Sequence, residues 1–260
     1  MAQLERGTHL TREGAIAILT MSNPGKRNAF SVEMREDLTR HLEDLQRDSS
    51  CRAIVLQGAD GCFSAGGDVS GFGTKTVIDY RAGLIASHRF VRLLITGEKP
   101  VVAAVEGYAY GAGLGLALCC DQVVAARDAK LCASFAKIGL MPDMGLLWTL
   151  PQRVGVGRAK EMIMLATVVG AEEGLGIGLV DEVADSGGAL AAAMALAERF
   201  AATAPSATGL TKAMLARHPL GLEDQLEWEA QGQGLLFTTA DVAEGVAAFR
   251  AKRPATFKGE

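Results

Sequence analysis

The sequence predicts an α/β core followed by an all-helical C-terminal part, and three observations carry that expectation. Short apolar runs suited to buried strands alternate with segments whose apolar residues recur at helical spacing, glycine-rich turns join the two, and from Gly188 onward only the helical pattern continues. At 260 residues the chain is long enough to bury a full-sized core. The change of pattern divides it into a core at 1–195 and a helical region at 196–260.

Residues 14–21, GAIAILTM, alternate apolar and small side chains like a half-buried strand, and Ser22-Asn23-Pro24-Gly25 ends it as a turn. Ser31 then offers an N-cap, Glu33 an acidic first turn, and Met34, Leu38, Leu42 and Leu45 one apolar helix face. A second strand is expected at 52–57, then the turn GADGCFSAGGD at 58–68, a glycine-rich, lid-like stretch at 71–76 and a helix reaching Leu94. Beyond residue 121, strands are expected at 122–126 and 130–133. Pro142 and Asp143 open a helix with Asp143 at its N-cap, Gly155 and Gly157 separate that helix from another at 158–166, and a last strand covers 179–183. Helices reaching residue 203 and at 206–217, 222–234 and 241–251 complete the chain.

Composition excludes several classes. A net charge of −4 leaves no domain-wide basic surface to neutralise phosphates, which argues against a nucleic-acid binder and for a small-molecule partner. The five cysteines are odd in number and show no C-x-x-C spacing, so neither a disulfide framework nor a zinc site is expected. The N-terminal MAQLERGTHL lacks the apolar run of a secretory leader, and no uncharged stretch approaches a membrane span, so the expected location is the cytoplasm. No G-x-S-x-G occurs, and His9, His41, His88 and His218 match no nucleophile arrangement.

The stretch at 100–121, PVVAAVEGYAYGAGLGLALCCD, reads as strand, tight turn, helix. Gly111, Ala112 and Gly113 carry almost no side chain, so a ligand atom can approach the unpaired N–H groups at the positive end of a helix. Such a place stabilises negative charge, as a bound anion or an oxyanion formed in a reaction. Small residues also serve close helix–strand packing, and the motif alone does not separate the two readings. A second bare turn, Ser64-Ala65-Gly66-Gly67, follows its own strand, and two facing turns can supply two converging donors. Lys26 and Arg27, adjacent on a loop, suit either solvent or a phosphate-bearing ligand.

These motifs together resemble the crotonase superfamily, the enoyl-CoA hydratase and isomerase group. The resemblance runs from NPGKRNAFS at 23–31 through FSAGGD at 63–68, KPVVAAVEGYAYGAG at 99–113 and GLVDEV at 178–183 to the C-terminal AFRAKRP. It implies a spiral of β-β-α units, a helical C-terminal region used for trimerisation, often as a dimer of trimers, and an acyl-CoA substrate, with coenzyme A as part of the substrate and no separate cofactor or metal. It also implies an oxyanion hole made by the N–H groups of Ala65 and Ala112. Lys26, Arg27 and the turn formed by Ala65, Gly66, Gly67 and Asp68 would lie along the coenzyme A, with Lys252 reaching its phosphates.

The two glutamates of the family's hydratases match Gly115 and Phe135 here, and neither can hold or activate water. The segment ASFAKIGLMPDMG instead resembles the branch of ring-1,2-epoxyphenylacetyl-CoA isomerase and related enoyl-CoA isomerases, which implies Asp143 as the acid/base. Leu146 and Leu147 depart from the small residues common in that branch. The resulting expectation is an isomerase acting on an enoyl- or phenylacetyl-type CoA thioester, with two alternatives: an enoyl-CoA hydratase, or a catalytically weak acyl-CoA-binding subunit.

Overall fold

A computed structural model describes residues 4–260. Residues 1–3, part of the N-terminal stretch read above for a leader, lie outside the described residues. The chain opens with an antiparallel hairpin, β1 (Gly7–Glu13) on β2 (Ile16–Ser22), in register from Gly7 opposite Ser22 to Glu13 opposite Ile16. The sequence offered no strand signal for β1, whose THLTRE is mostly polar and whose pairing is with β2 alone at the sheet's edge. In β2 residues of both parities are buried, so the strand is covered on both faces, not half-buried.

Helix α1 (Val32–Arg47) starts where Ser31 Oγ accepts the Met34 N–H at 3.3 Å, and buries Met34, Leu38, Leu42 and Leu45. Strand β3 (Ala53–Gly58) leads to the first bare turn, and α2 (Val77–Thr96) opens with a Thr76–Asp79 capping box. Strand β4 (Val101–Val105), short strand β5 (Tyr108–Tyr110) and α3 (Ala112–Leu118) form the central stretch. Then come β6 (Gln122–Ala126), β7 (Lys130–Cys132), α4 (Leu146–Met164, kinked at Gly155), β8 (Val168–Gly170), α5 (Ala171–Gly176) and β9 (Glu182–Ala184). Helices α6 (Ala189–Ala201), α7 (Pro205–Leu215), α8 (Leu222–Leu236) and α9 (Ala240–Ala251) end the chain.

The main sheet runs β1-β2-β3-β4-β6-β9, parallel from β2 onward, and β5-β7-β8 make a smaller one. The first bare turn follows β3 and the second follows β5, and a bridge between Ser64 and Ala109 joins them, with the Ser64 N–H on Tyr108 O and the Tyr110 N–H on Ser64 O. The expected division at 195 falls inside α6, which packs across β2, β3, β4, β6 and β9 and belongs to the core. Its alanine spacing, with Ala189, Ala193 and Ala197 fully buried, seats it on the sheet, and the helices that leave the sheet begin with α7.

One buried charge ties α7 to the core. Lys212 Nζ donates to Asp121 Oδ2 at 2.6 Å and to Lys99 O at 2.9 Å, while Asp121 Oδ2 also accepts the Val101 N–H at 2.7 Å. Removing one partner strands a desolvated charge, which costs roughly 3–5 kcal/mol in a fully buried pair. The Asp121 side chain is 26% exposed, so the lower end applies. Lys212→Met is expected to destabilise the chain by about 3 kcal/mol, read as a lower denaturation midpoint with an unchanged slope.

Candidate active site

The two bare turns touch. A methyl group added at Gly66 would sit 3.0 Å from Tyr110 O and 3.9 Å from Ala112 N, and one added at Gly111 would sit 3.9 Å from Gly66 Cα. Both glycines also hold positive φ, 109° and 49°, so no other residue suits either place. The loop at 23–30 fastens the first turn. Asn28, itself at φ 53°, accepts the Asn23 N–H through Oδ1 and donates through Nδ2 to Ala59 O at 2.8 Å and Cys62 O at 2.6 Å. Ser64 Oγ donates to Asn28 O at 2.8 Å and accepts the Gly66 N–H at 3.2 Å. Sequence reading gave Asn28 no role and named Ser64 only as a member of the bare turn; the one available signal was an asparagine, the residue type most tolerant of left-handed backbone, directly after Lys26-Arg27.

This fastening corrects one expected donor. The Ala65 N–H is not free: it donates to Arg27 O at 2.9 Å. Among the described residues, the amides of the paired turns without a hydrogen-bond partner include those of Gly67 and Ala112. Gly67 bridges Phe30 through its neighbours, with Phe30 N–H on Gly66 O and Asp68 N–H on Phe30 O, which leaves its own N–H unspent. Ala112 is 5% exposed at the first position of α3, where an N–H has no intrahelical acceptor.

The charged residues expected along a coenzyme are gathered here in part. Lys26 Nζ lies 2.8 Å from Asp68 Oδ2 and 3.3 Å from Ser70 Oγ, and this lysine holds the Asp68 carboxyl down at about 2. Arg27 stacks over the Tyr108 ring at 5.3 Å. Lys252 is not among them. It caps α9, and the tail beyond it docks at the amino end of β3, where Arg52 donates to Phe257 O at 3.0 Å. The first bare turn and the loop carrying Lys26 and Arg27 stand at the carboxyl ends of β3 and β2, so within one chain the tail beyond Lys252 docks at the opposite end of the sheet.

Asp143 is not the helix cap that its position suggested. The backbone turns through left-handed Met144 (φ 51°) and Gly145 (φ 73°), α4 starts at Leu146 with Gly145 as its cap, and no side chain caps it. The Asp143 side chain instead turns inward, where Oδ1 is buried without a partner among the described residues. Burial pushes this carboxyl up to about 6, opposed weakly by its own backbone N–H. Met144 and Leu146 beside it are buried, whereas Met141, Leu147 and Trp148 are 71%, 49% and 41% exposed and form an apolar rim. Phe135 is buried, with its Cζ 3.9 Å from the position of a methyl at Gly111. Carbon therefore faces the amide turn at Phe135, and Gly115 offers no side chain at all.

The fold is that of the crotonase class: it superposes on an enoyl-CoA hydratase from Polaromonas sp. JS666 with a TM-score of 0.91 at 33% identity, covering 96% of this chain and 99% of that one. The sequence model of the enoyl-CoA hydratase/isomerase family matches residues 11–260, and the chain belongs to that family. It is 36% identical over 253 residues to the 1,2-epoxyphenylacetyl-CoA isomerase of Escherichia coli K12, covering 95% of this chain and 97% of the relative. It is 31% identical over 246 residues to the short-chain-enoyl-CoA hydratase of Clostridium acetobutylicum, covering 94% of each.

The unpaired carboxyl has a consequence for stability. Its folded pKa lies above the unfolded value, so ionisation opposes folding as pH rises from about 4 to about 6, and the penalty is complete above that. Two pKa units correspond to about 3 kcal/mol as an upper bound. Asp143→Asn is expected to stabilise the chain by about 1–3 kcal/mol at pH 7.5, with the gain vanishing near pH 4. Melting curves at the two pH values check this, and a helix cap would give a loss or no change.

Proposed function

We propose that the chain is a cytoplasmic acyl-CoA isomerase that shifts a double bond, or opens a strained ring, through an enolate. The observation that carries this reading is a single carboxylate: Asp143 is half-buried, its Oδ1 is buried without a partner and burial raises the group to about 6, while Gly115 and Phe135 supply no second acid or base. Adding water across a double bond calls for groups that hold and activate the water, whereas moving a proton along one face needs a single shuttle. For a 3-enoyl thioester, Asp143 carboxylate takes a proton from C2 and the electron pair moves onto the thioester oxygen. The N–H groups of Gly67 and Ala112 stabilise that charge. The protonated Asp143 then delivers the proton to C4, the double bond settles at C2–C3 and the carboxylate is restored.

Lys26, Arg27 and the turn from Ala65 to Asp68 would lie along the coenzyme, which is part of the substrate, and no separate cofactor is needed. Lys252 would serve it only across a subunit boundary. Such a boundary is supported by α8, which has no buried residue while Leu222, Leu226 and Leu235 are 69%, 48% and 65% exposed. Leu236 ends the same helix. Assembly into a trimer or hexamer would cover this face, and light scattering at micromolar concentration should read three or six chains; a stable monomer would refute it.

Hydration is the second reading, favoured by the hydratase names that most of the similar proteins carry. Parallel assays of 3-enoyl-CoA isomerisation, 2-enoyl-CoA hydration and CoA-thioester binding separate both from a weakly catalytic binding subunit. Asp143→Asn is expected to lower isomerisation by about 10²–10⁴ with thioester affinity retained. Ala112→Pro, which removes one amide at a helix start where proline is tolerated, should cost about 10²–10³. Near-normal turnover in both variants would sink the mechanism.

A further inference from the structure

We propose that Gly115 is a positioning residue for Asp143: the missing side chain at 115 is what lets the Asp143–Met144–Gly145 corner seat against α3. The inference rests on the reading of Asp143 as the base. A methyl group at Gly115 would fall 2.7 Å from Met144 Cβ, 3.4 Å from Asp143 O and 3.5 Å from Met144 O. Carbon atoms pack at about 3.5–4.0 Å, so the corner would have to retreat by most of an ångström.

Hydrogen bonds and neighbouring side chains hold the corner where it is. Leu146 N–H holds Asp143 O at 2.9 Å, and the Cys119 thiol donates to Met144 O at 3.2 Å. On the next residue, a methyl at Gly145 would already lie 3.4 Å from Val91 and 3.8 Å from Ile95. Met144, at φ 51°, is committed to the left-handed turn that aims Asp143 inward. A push at 115 is therefore passed to the carboxyl. Any side chain at 115, a carboxylate included, and Asp143 at its present depth exclude one another, so this site carries one acid/base group and not two.

The groups facing the carboxyl are few. α3 carries no titratable side chain from Ala112 to Leu118, and the Cys119 thiol is spent on Met144 O. Burial is the one cause that raises the carboxyl, so levering it toward water lowers its pKa.

The test is a double-variant cycle on 3-enoyl-CoA isomerisation, with Gly115→Ala made in the native chain and in a Met144→Gly background. In the native chain, Gly115→Ala should lower kcat about 10- to 100-fold, as an ångström-scale misplacement does, and move the acid limb of the kcat–pH profile below its native position. KM should stay within about twofold, since the coenzyme contacts are untouched. In the Met144→Gly background the colliding atom is gone and the left-handed turn suits glycine, so the same substitution should change kcat by less than about twofold. Equal losses in both backgrounds, or none in either, overturn the proposal. If Gly115→Ala alone does not fold, the double variant decides: turnover equal to that of Met144→Gly supports the proposal, and a further tenfold loss overturns it. Asp143→Asn assayed alongside separates the two levels. An active Asp143→Asn protein removes the base itself, whereas an inactive one beside a fully active Gly115→Ala removes only the positioning role.

Discussion

Backbone resting on backbone, where Gly66 meets Tyr110 and Ala112, is the contact on which the site depends. No pair of side chains holds two amide groups in place as firmly, because an amide's direction is set by its own chain and lacks rotamers. The cost is borne elsewhere: one glycine on each side in a conformation closed to other residues, and a separate loop to fix the approach. Asn28 and Ser64 do that fixing with buried hydrogen bonds, each of which would leave an orphaned group if cut.

The same economy of side chains governs the other wall. α3 presents Ala112, Gly113 and Gly115 along the face where the two turns and the Asp143 corner arrive, so three backbone segments converge on one short helix. A carboxylate oxygen buried without a partner is expensive, and the left-handed pair Met144–Gly145 is what turns Asp143 Oδ1 inward while the residue as a whole stays half-buried. At position 115 volume therefore matters as much as charge.

Much of this was legible in the residues. The α/β pattern, the Ser31 cap, the face of α1 and the two bare turns all follow from short-range rules, and Gly111-Ala112-Gly113 announces a bare helix start wherever it occurs. What escaped depends on distant partners. Ala65 and Gly67 differ only in which one meets Arg27 O, and nothing within the turn says that a loop some forty residues earlier will claim the first. Asp143 after a proline satisfies every rule for a cap; only the two left-handed residues behind it turn the carboxyl inward, and Met144 is a poor advertisement for that conformation. Where the tail that follows Lys252 docks was illegible for a simpler reason, since sequence carries no record of which end of the sheet a tail returns to.

The Lys26–Asp68 pair gives the loop beside the first bare turn a particular electrostatic character. Its lysine is already half satisfied, and because the Asp68 carboxyl stays ionised down to about pH 2, no ordinary change of acidity releases it. An anion reaching this lysine therefore trades places with a carboxylate instead of neutralising a lone charge. Exposed pairs of this kind are worth about 0–1 kcal/mol, so the trade is nearly even. Added salt loosens the old pair and the new contact alike, and the step behaves as ion exchange: selective for the better-fitting anion, and only weakly dependent on ionic strength.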